Sequence, residues 1–145
     1  MIAIGPLTPA DRDRWQELFE GYNTFYERTL PAEIYDEKWQ KFLADETIHA
    51  LCARDGDNIV GITHFFRHPS TSGPDVCYLQ DLFTAPEARG RGAGRALIEA
   101  VAAWAKQHDC CRVYWHTKES NETARRLYDQ VAEQTPFVMY RMEVR

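Results

Sequence analysis

The chain has 145 residues, of which 44% are hydrophobic and 27% are charged, and its formal net charge at pH 7 is −5. This length is typical of a single domain, which we expect to span residues 1–145 and to fold without a disulfide framework. The acidic balance argues against nucleic acid or an anionic membrane surface as the main partner. It is compatible with a cationic substrate, and it also serves solubility alone.

The spacing of the cysteines and histidines indicates the compartment of the protein and whether it binds a metal. None of the four cysteines forms a C-x-x-C pair, which is typical of reduced thiols in a reducing compartment. The five histidines show no zinc-ligand spacing. No apolar run is long enough to span a membrane. We therefore expect a cytoplasmic protein without a metal site.

Apolar periodicity in the first half predicts a strand, two helices and a strand hairpin. The strand lies at 2–4, and the first helix follows Thr8 as N-cap with Pro9 at its first position. The second helix runs over about 33–43. The hairpin strands are 48–54 and 59–67, joined by the turn residues Asp55 to Asn58.

The second half predicts a strand at 76–84, a helix ending near Gln107, a strand at 112–117, a helix capped by Ser120 or Asn121, and a closing strand at 137–144. The resulting order is β-α-α-β-β-β-α-β-α-β. This order predicts one α/β domain with a mixed, mostly antiparallel sheet around a central β-α-β unit.

Three glycines and three arginines lie together from Arg89 to Arg95, between a predicted strand and a predicted helix. A glycine-rich turn before a helix N-terminus offers free N–H groups and a positive dipole end to a phosphate. The dinucleotide and P-loop fingerprints both fail here, since the required glycine and lysine are missing. What stands in the sequence is R-x-x-G-x-G, formed by Arg89, Gly92 and Gly94. Taken alone, this string also fits an ordinary basic turn.

Two segments carry a family resemblance. The string YLQDLFTAPEARGRGAGRALIEAVAAWA resembles the acetyl-CoA-binding motif of the GNAT superfamily of N-acetyltransferases. Downstream, Asn121, Ala124, Leu127 and Tyr128 match the N-x-x-A-x-x-L-Y motif of the same superfamily. Within the superfamily the chain resembles the histone and polyamine acetyltransferase branch, since YLQDLF is similar to the YLEDIY of diamine acetyltransferases. The resemblance covers about residues 61–144.

The resemblance implies an enzyme that transfers the acetyl group of acetyl-CoA to a primary amine by direct attack in a ternary complex. The acceptor would be a polyamine, an amino acid, a peptide or protein lysine, or an amine antibiotic. A homodimer is common in this superfamily, and the closing strand would be able to pair across it. The alternative is a non-catalytic acyl-CoA-binding sensor or scaffold.

The family pattern also implies a cofactor site. The pyrophosphate would lie on the backbone N–H groups of the glycine-arginine turn, and the pantetheine would lie along strand residues as a further strand, beside a β-bulge that opens a slot for the thioester. Asn121 would bond the pantetheine arm or would only cap its helix. The implied cofactor-binding residues are Leu82, Phe83, Thr84, Arg89, Gly90, Arg91, Gly92, Ala93, Gly94, Arg95 and Asn121.

The chemistry needs a neutral amine, donors for the oxyanion and a proton for the leaving thiolate. Tyr128 occupies the family's acid position, although its helical face also fits a core tyrosine. Asp81 is the candidate base, or a partner that orients an ammonium, because Gln80 replaces the family's glutamate and takes up no proton. Regular alternation would place Leu79, Asp81 and Phe83 on one face.

On the acceptor side, Tyr22 and Tyr26 are candidates for an aromatic wall that binds an alkylammonium, together with Asp81. The same tyrosines fit the apolar stripe of the first helix. His64 alternates with Phe65 in a strand, and the sequence assigns it no function.

Overall fold

The computed structural model describes residues 1–145 and contains one five-stranded sheet in the order β1-β2-β3-β4-β5. The strands are β1 (Ile2–Gly5), β2 (His49–Asp55), β3 (Asn58–His68), β4 (Val76–Thr84) and β5 (Val113–Tyr114). The helices are α1 (Arg12–Phe25), α2 (Ala32–Ala44), α3 (Ala93–Gln107) and α4 (Glu122–Val131). Strands β1 to β4 are antiparallel, whereas β4 and β5 are parallel and joined through α3. The predicted fold class is therefore confirmed.

The start of α1 follows the predicted cap. Thr8 and Asp11 form a capping box, with Pro9 at the first position of a short 3-10 turn that leads into the helix. The Asp11 carboxylate also accepts hydrogen bonds from the Arg54 guanidinium at 2.5 and 3.1 Å. This contact fixes α1 to β2 and lowers the pKa of Asp11.

The core has two parts, one on each face of the sheet. Trp15 of α1 is fully buried and packs with Trp39 and Phe42 of α2. On the other face, Val101 of α3 lies in a second cluster with Phe65 of β3. Helices α1 and α2 therefore cover one face, and α3 covers the other.

The predicted closing strand is wrong, because no helix or strand follows Val131. The sequence of 137–144 has the apolar content of a strand, but a strand also needs a partner for its backbone groups, and this segment pairs with none in its own chain. Its large side chains are exposed to solvent, with Phe137 at 87% and Tyr140 at 90% exposure. We call residues 137–144 the C-terminal arm.

The fifth strand is also shorter than predicted, with two residues in place of six. All four cysteines are free thiols, and Cys52 and Cys77 are buried. No helix has both the length and the apolar content needed to cross a membrane.

Candidate active site

A gap opens between β4 and β5. The two strands pair only at Cys77 with Val113 and at Tyr78 with Tyr114. Beyond this point β4 continues to Thr84 while β5 has ended. Residues Leu82, Phe83 and Thr84 pair with β3 on one side. Their other edge is left without a strand, which is the arrangement that an added extended ligand requires.

A β-bulge marks where the gap begins. His64 of β3 lies opposite Asp81 and Phe65 lies opposite Leu79, so Gln80 is an extra residue of β4. A bulge interrupts the regular alternation of side chains. Leu79 packs with α3 residues, whereas Asp81 contacts His64 on the side of α1 and α2. The expectation that Leu79 and Asp81 share a face is therefore wrong, and Gln80 is the reason.

The glycine-arginine turn presents its backbone to the end of this gap. Gly90 and Gly92 have φ of 79° and 87°, in the left-handed region that glycine adopts most readily. The first hydrogen bond of α3 runs from the Ala96 N–H to the Gly92 carbonyl at 3.0 Å. The amides of Ala93, Gly94 and Arg95 therefore have no intrahelical acceptor. Free amides at a helix N-terminus fit a diphosphate.

The arginine side chains of this turn are tethered to protein neighbours. Arg89 donates to the Thr84 carbonyl at 3.3 Å and lies over the Phe83 ring. Arg91 pairs with Asp55. Arg95 donates to Gln130 at 2.5 Å. The backbone amides are thus freer to meet an anion than the three guanidinium groups are.

Asp81 is held by a buried chain of polar contacts. The His64 Nδ1 lies 2.9 Å from the Asp81 carboxylate, and the Trp15 indole N–H donates to the His64 Nε2 at 3.0 Å. An indole N–H only donates, so Nε2 accepts and His64 is the neutral Nδ1–H tautomer. His64 is 3% exposed and stacks on Phe42. The Asp81 side chain, at 14% exposure, is therefore held in a fixed orientation on the side of α1 and α2.

Tyrosines surround this carboxylate. The Tyr22 ring lies 4.9 Å from that of Tyr26, and the Tyr22 hydroxyl donates to the Gln80 carbonyl at 3.3 Å. Burial raises the pKa of Tyr22, and the nearby Asp81 charge raises it further. Both tyrosines are partly buried, and Tyr22 packs on the core.

Tyr128 lies on α4, the helix that follows β5. Its ring packs edge-on against Trp115 at 5.4 Å. Burial raises the pKa of Tyr128 to about 12, and the proximity of Tyr26 contributes to the increase. The structure therefore brings four of the predicted site residues together, namely Tyr22, Tyr26, Asp81 and Tyr128.

Asn121 caps α4, as one of its two predicted roles requires. Its side chain accepts from the Ala124 N–H at 3.4 Å and donates to Thr117 at 3.3 Å. It also lines a cavity of about 440 Å³ between the end of α1 and the start of α4. A contact with the pantetheine arm stays a prediction.

His64 and Trp15 are the site residues that the sequence did not reveal. The signal lies in the register between β3 and β4, which decides that His64 faces Asp81. Seven residues, 69–75, separate these strands, so no short turn fixes their register in the sequence.

An open strand edge that leads into a glycine-rich helix start is an arrangement suited to an acyl-CoA, whose amides extend one strand and whose diphosphate caps one helix. The family model of the GNAT acetyltransferases matches residues 15–132. The chain belongs to this family.

Similar proteins support the same class. A D-amino-acid N-acetyltransferase of Saccharomyces cerevisiae is 32% identical over 97% of this chain and 89% of its own length. An aminoglycoside N(6′)-acetyltransferase of Stenotrophomonas maltophilia is 32% identical over 76% of this chain and 74% of its own length. An aminoglycoside N-acetyltransferase in complex with CoA has a similar fold, with a TM-score of 0.87 at 17% identity over 99% of this chain and 95% of that one. The chain is an acetyl-CoA-dependent N-acetyltransferase.

Proposed function

We propose that this enzyme acetylates a primary amine of a small molecule or peptide, and that the amine attacks the thioester directly while both substrates are bound. The observation that carries the proposal is the placement of Asp81 and Tyr128. Asp81 projects from β4, and Tyr128 lies on the helix after β5, so the two groups flank the gap between these strands.

The residues of the gap fit acetyl-CoA, which supplies the acetyl thioester when bound. The free edge of Leu82, Phe83 and Thr84 would accept the pantetheine amides, and the turn from Arg89 to Arg95 would hold the diphosphate through its amides. A backbone N–H near Leu82 or Phe83 would donate to the oxyanion. In this assignment, backbone groups make most of the contacts to the cofactor.

Asp81 would receive the acceptor amine. One carboxylate oxygen accepts from His64, which leaves the other oxygen for an ammonium. An amine of pKa about 10.4 is mostly charged near neutral pH and must lose a proton before it attacks. Asp81 would position the ammonium and take up this proton, directly or through water.

Tyr128 would donate to the departing sulfur. With a pKa of about 12 it stays protonated near neutral pH. The pKa of Tyr128 therefore lies further above the pKa of a thiol, about 8.5, than the pKa of a free phenol does. Tyr128 would therefore act chiefly by a hydrogen bond to the sulfur as negative charge develops there.

The decisive experiment supplies acetyl-CoA with a panel of amines and follows the release of free thiol. Acetylation of at least one amine, lost in Asp81→Asn, supports the proposal. Tight binding of acetyl-CoA without turnover on any amine would instead favour an acyl-CoA sensor.

We also propose that the protein is a homodimer in which the C-terminal arm of each copy pairs with the free edge of β5 in the other. Strand β5 ends the sheet, and its outer edge has no partner. The arm carries strand-forming apolar residues that its own chain leaves exposed. A cytoplasmic setting is proposed on the strength of the four free thiols.

A further inference from the structure

Two cations lie against the aromatic wall of the site. The Arg28 guanidinium carbon lies 5.6 Å from the Tyr22 ring centre and 5.7 Å from that of Tyr26. The Lys118 ammonium lies 5.4 Å from the Tyr26 ring centre. Tyr26 is thus contacted by two positive groups that come from distant parts of the chain. The same wall reaches the Asp81 carboxylate through Tyr22.

The backbones of both residues are fixed. At the end of α1, Glu27 adopts a φ of 57°, and the Arg28 N–H donates to the Asn23 carbonyl at 2.8 Å. These features make a Schellman-type helix end. Lys118 accepts through its carbonyl from the Asn121 N–H at 3.0 Å, in the turn that begins α4. Lys118 lines the cavity between the end of α1 and the start of α4 together with Phe25, and Arg28 follows Phe25 by three residues.

Neither cation has an anionic partner. The chain forms eleven ion pairs, and Arg28 and Lys118 belong to none of them. Both side chains are exposed. In a protein with a net charge of −5, the two cations on Tyr26 form a small patch of positive charge, and Glu122 lines the same cavity as Lys118. Such a patch attracts a carboxylate and repels a second ammonium.

We infer that Arg28 and Lys118 form a carboxylate subsite and that the acceptor is an amino acid, with its amine at Asp81 and its carboxylate at this pair. The inference rests on the proposed function and selects one acceptor class from those it allows. Polyamines and aminoglycosides place further positive charge where the two cations stand, so they are expected to be poor acceptors. The aromatic rings of Tyr22 and Tyr26 would lie along the carbon chain between the two charged ends.

The test compares each amino acid with the amine that lacks its carboxylate. Lysine is paired with cadaverine, and phenylalanine with phenethylamine, so that both side-chain and α-amines are covered. Thiol release from acetyl-CoA gives kcat/KM for each acceptor. The wild-type protein is expected to favour the amino acid in at least one pair by about 10-fold or more, as a charge-assisted contact provides.

The double variant Arg28→Met with Lys118→Met should lose this preference, by a fall in kcat/KM for the amino acid of about 10- to 100-fold. Its activity on the matched amine should be unchanged or higher. Arg28→Lys should restore part of the preference, and Lys106→Met, at the far end of α3, serves as the control for the loss of an exposed cation away from the site.

Three results would overturn the inference. Equal efficiency within both pairs in the wild-type protein would remove the subsite. An equal loss on amino acid and amine in the double variant would show a general defect. A raised KM for acetyl-CoA would assign the cations to the cofactor. Absence of turnover with every acceptor would count against the proposed function itself.

Discussion

Tyr128 meets two demands with one side chain, since its ring packs on Trp115 and its hydroxyl belongs to the group of tyrosines around the gap. Tyr128→Phe should retain the packing and lose the hydrogen bond. We expect kcat to fall by about 100-fold, as removal of a hydrogen-bond donor to developing negative charge usually does, with little change in KM for acetyl-CoA. Steady-state kinetics checks both values.

The pH profile adds a second readout for this variant. Because the pKa of Tyr128 is about 12, the phenol stays protonated throughout the range in which an amine acceptor loses its proton. Activity should therefore rise with pH in both wild-type and Tyr128→Phe proteins. A variant with the wild-type rate would take Tyr128 out of the mechanism.

His64 is the residue whose role depends most on its two neighbours. His64→Phe should leave the Trp15 N–H and the Asp81 carboxylate without partners, each at a cost of about 1–3 kcal/mol if it stays dry. We expect a lower Tm and a higher KM for the amine, with KM for acetyl-CoA unchanged. His64→Gln, whose amide both donates and accepts, should recover much of this loss.

A nitrogen NMR measurement tests the same contact without substrate. It should find His64 as the Nδ1–H tautomer in the wild-type protein. An Nε2–H tautomer would contradict the proposed orientation of Asp81.

For individual residues, the sequence predicted the candidate site only where a family motif was present. Tyr128 and Asn121 were located by the resemblance to the N-x-x-A-x-x-L-Y motif, and the turn residues by the resemblance to the acetyl-CoA-binding motif. The paired contacts of His64, and those of Arg28 and Lys118, depend on chain segments brought together from far apart, which no local pattern encodes.

Among the elements, the turn between β4 and α3 carries the clearest test. Gly92→Ala introduces a Cβ that meets nothing within 4 Å, so its effect comes from the φ of 87° alone. A left-handed conformation costs an alanine about 1–2 kcal/mol, which corresponds to about 10-fold weaker CoA binding if the turn relaxes. Calorimetry measures the Kd.

Gly73→Ala is the matched control, because its Cβ also meets nothing and its φ is not positive. It should bind CoA like the wild-type protein. Equal affinity in Gly92→Ala would show that the turn does not hold the diphosphate in this conformation.

Periodicity and caps located all four helices and the first four strands. They failed where pairing decides the outcome. Strand β5 is short because its pairing with β4 ends at Tyr78, and the closing strand is missing because the segment finds no edge partner in its own chain. Local propensity states what a segment can form, and the neighbouring strand decides whether it does.

For the whole molecule, the C-terminal arm is the exposed apolar surface that most needs a partner. Light scattering should find the wild-type protein as a dimer and a variant without residues 136–145 as a monomer. Tyr140→Asp should weaken the dimer without unfolding the domain, since Tyr140 is 90% exposed. A monomeric wild-type protein would show that the C-terminal arm does not pair with β5 of a second copy.

Gln80, the extra residue of β4, interrupts the regular pairing of the sheet where the gap begins. Deleting it would leave Leu79 opposite Phe65 and Asp81 opposite His64, so the carboxylate would keep its face, but β4 would lose the bend that a bulge introduces. A fully regular β4 would follow β5 further and leave less room for a ligand between the two strands.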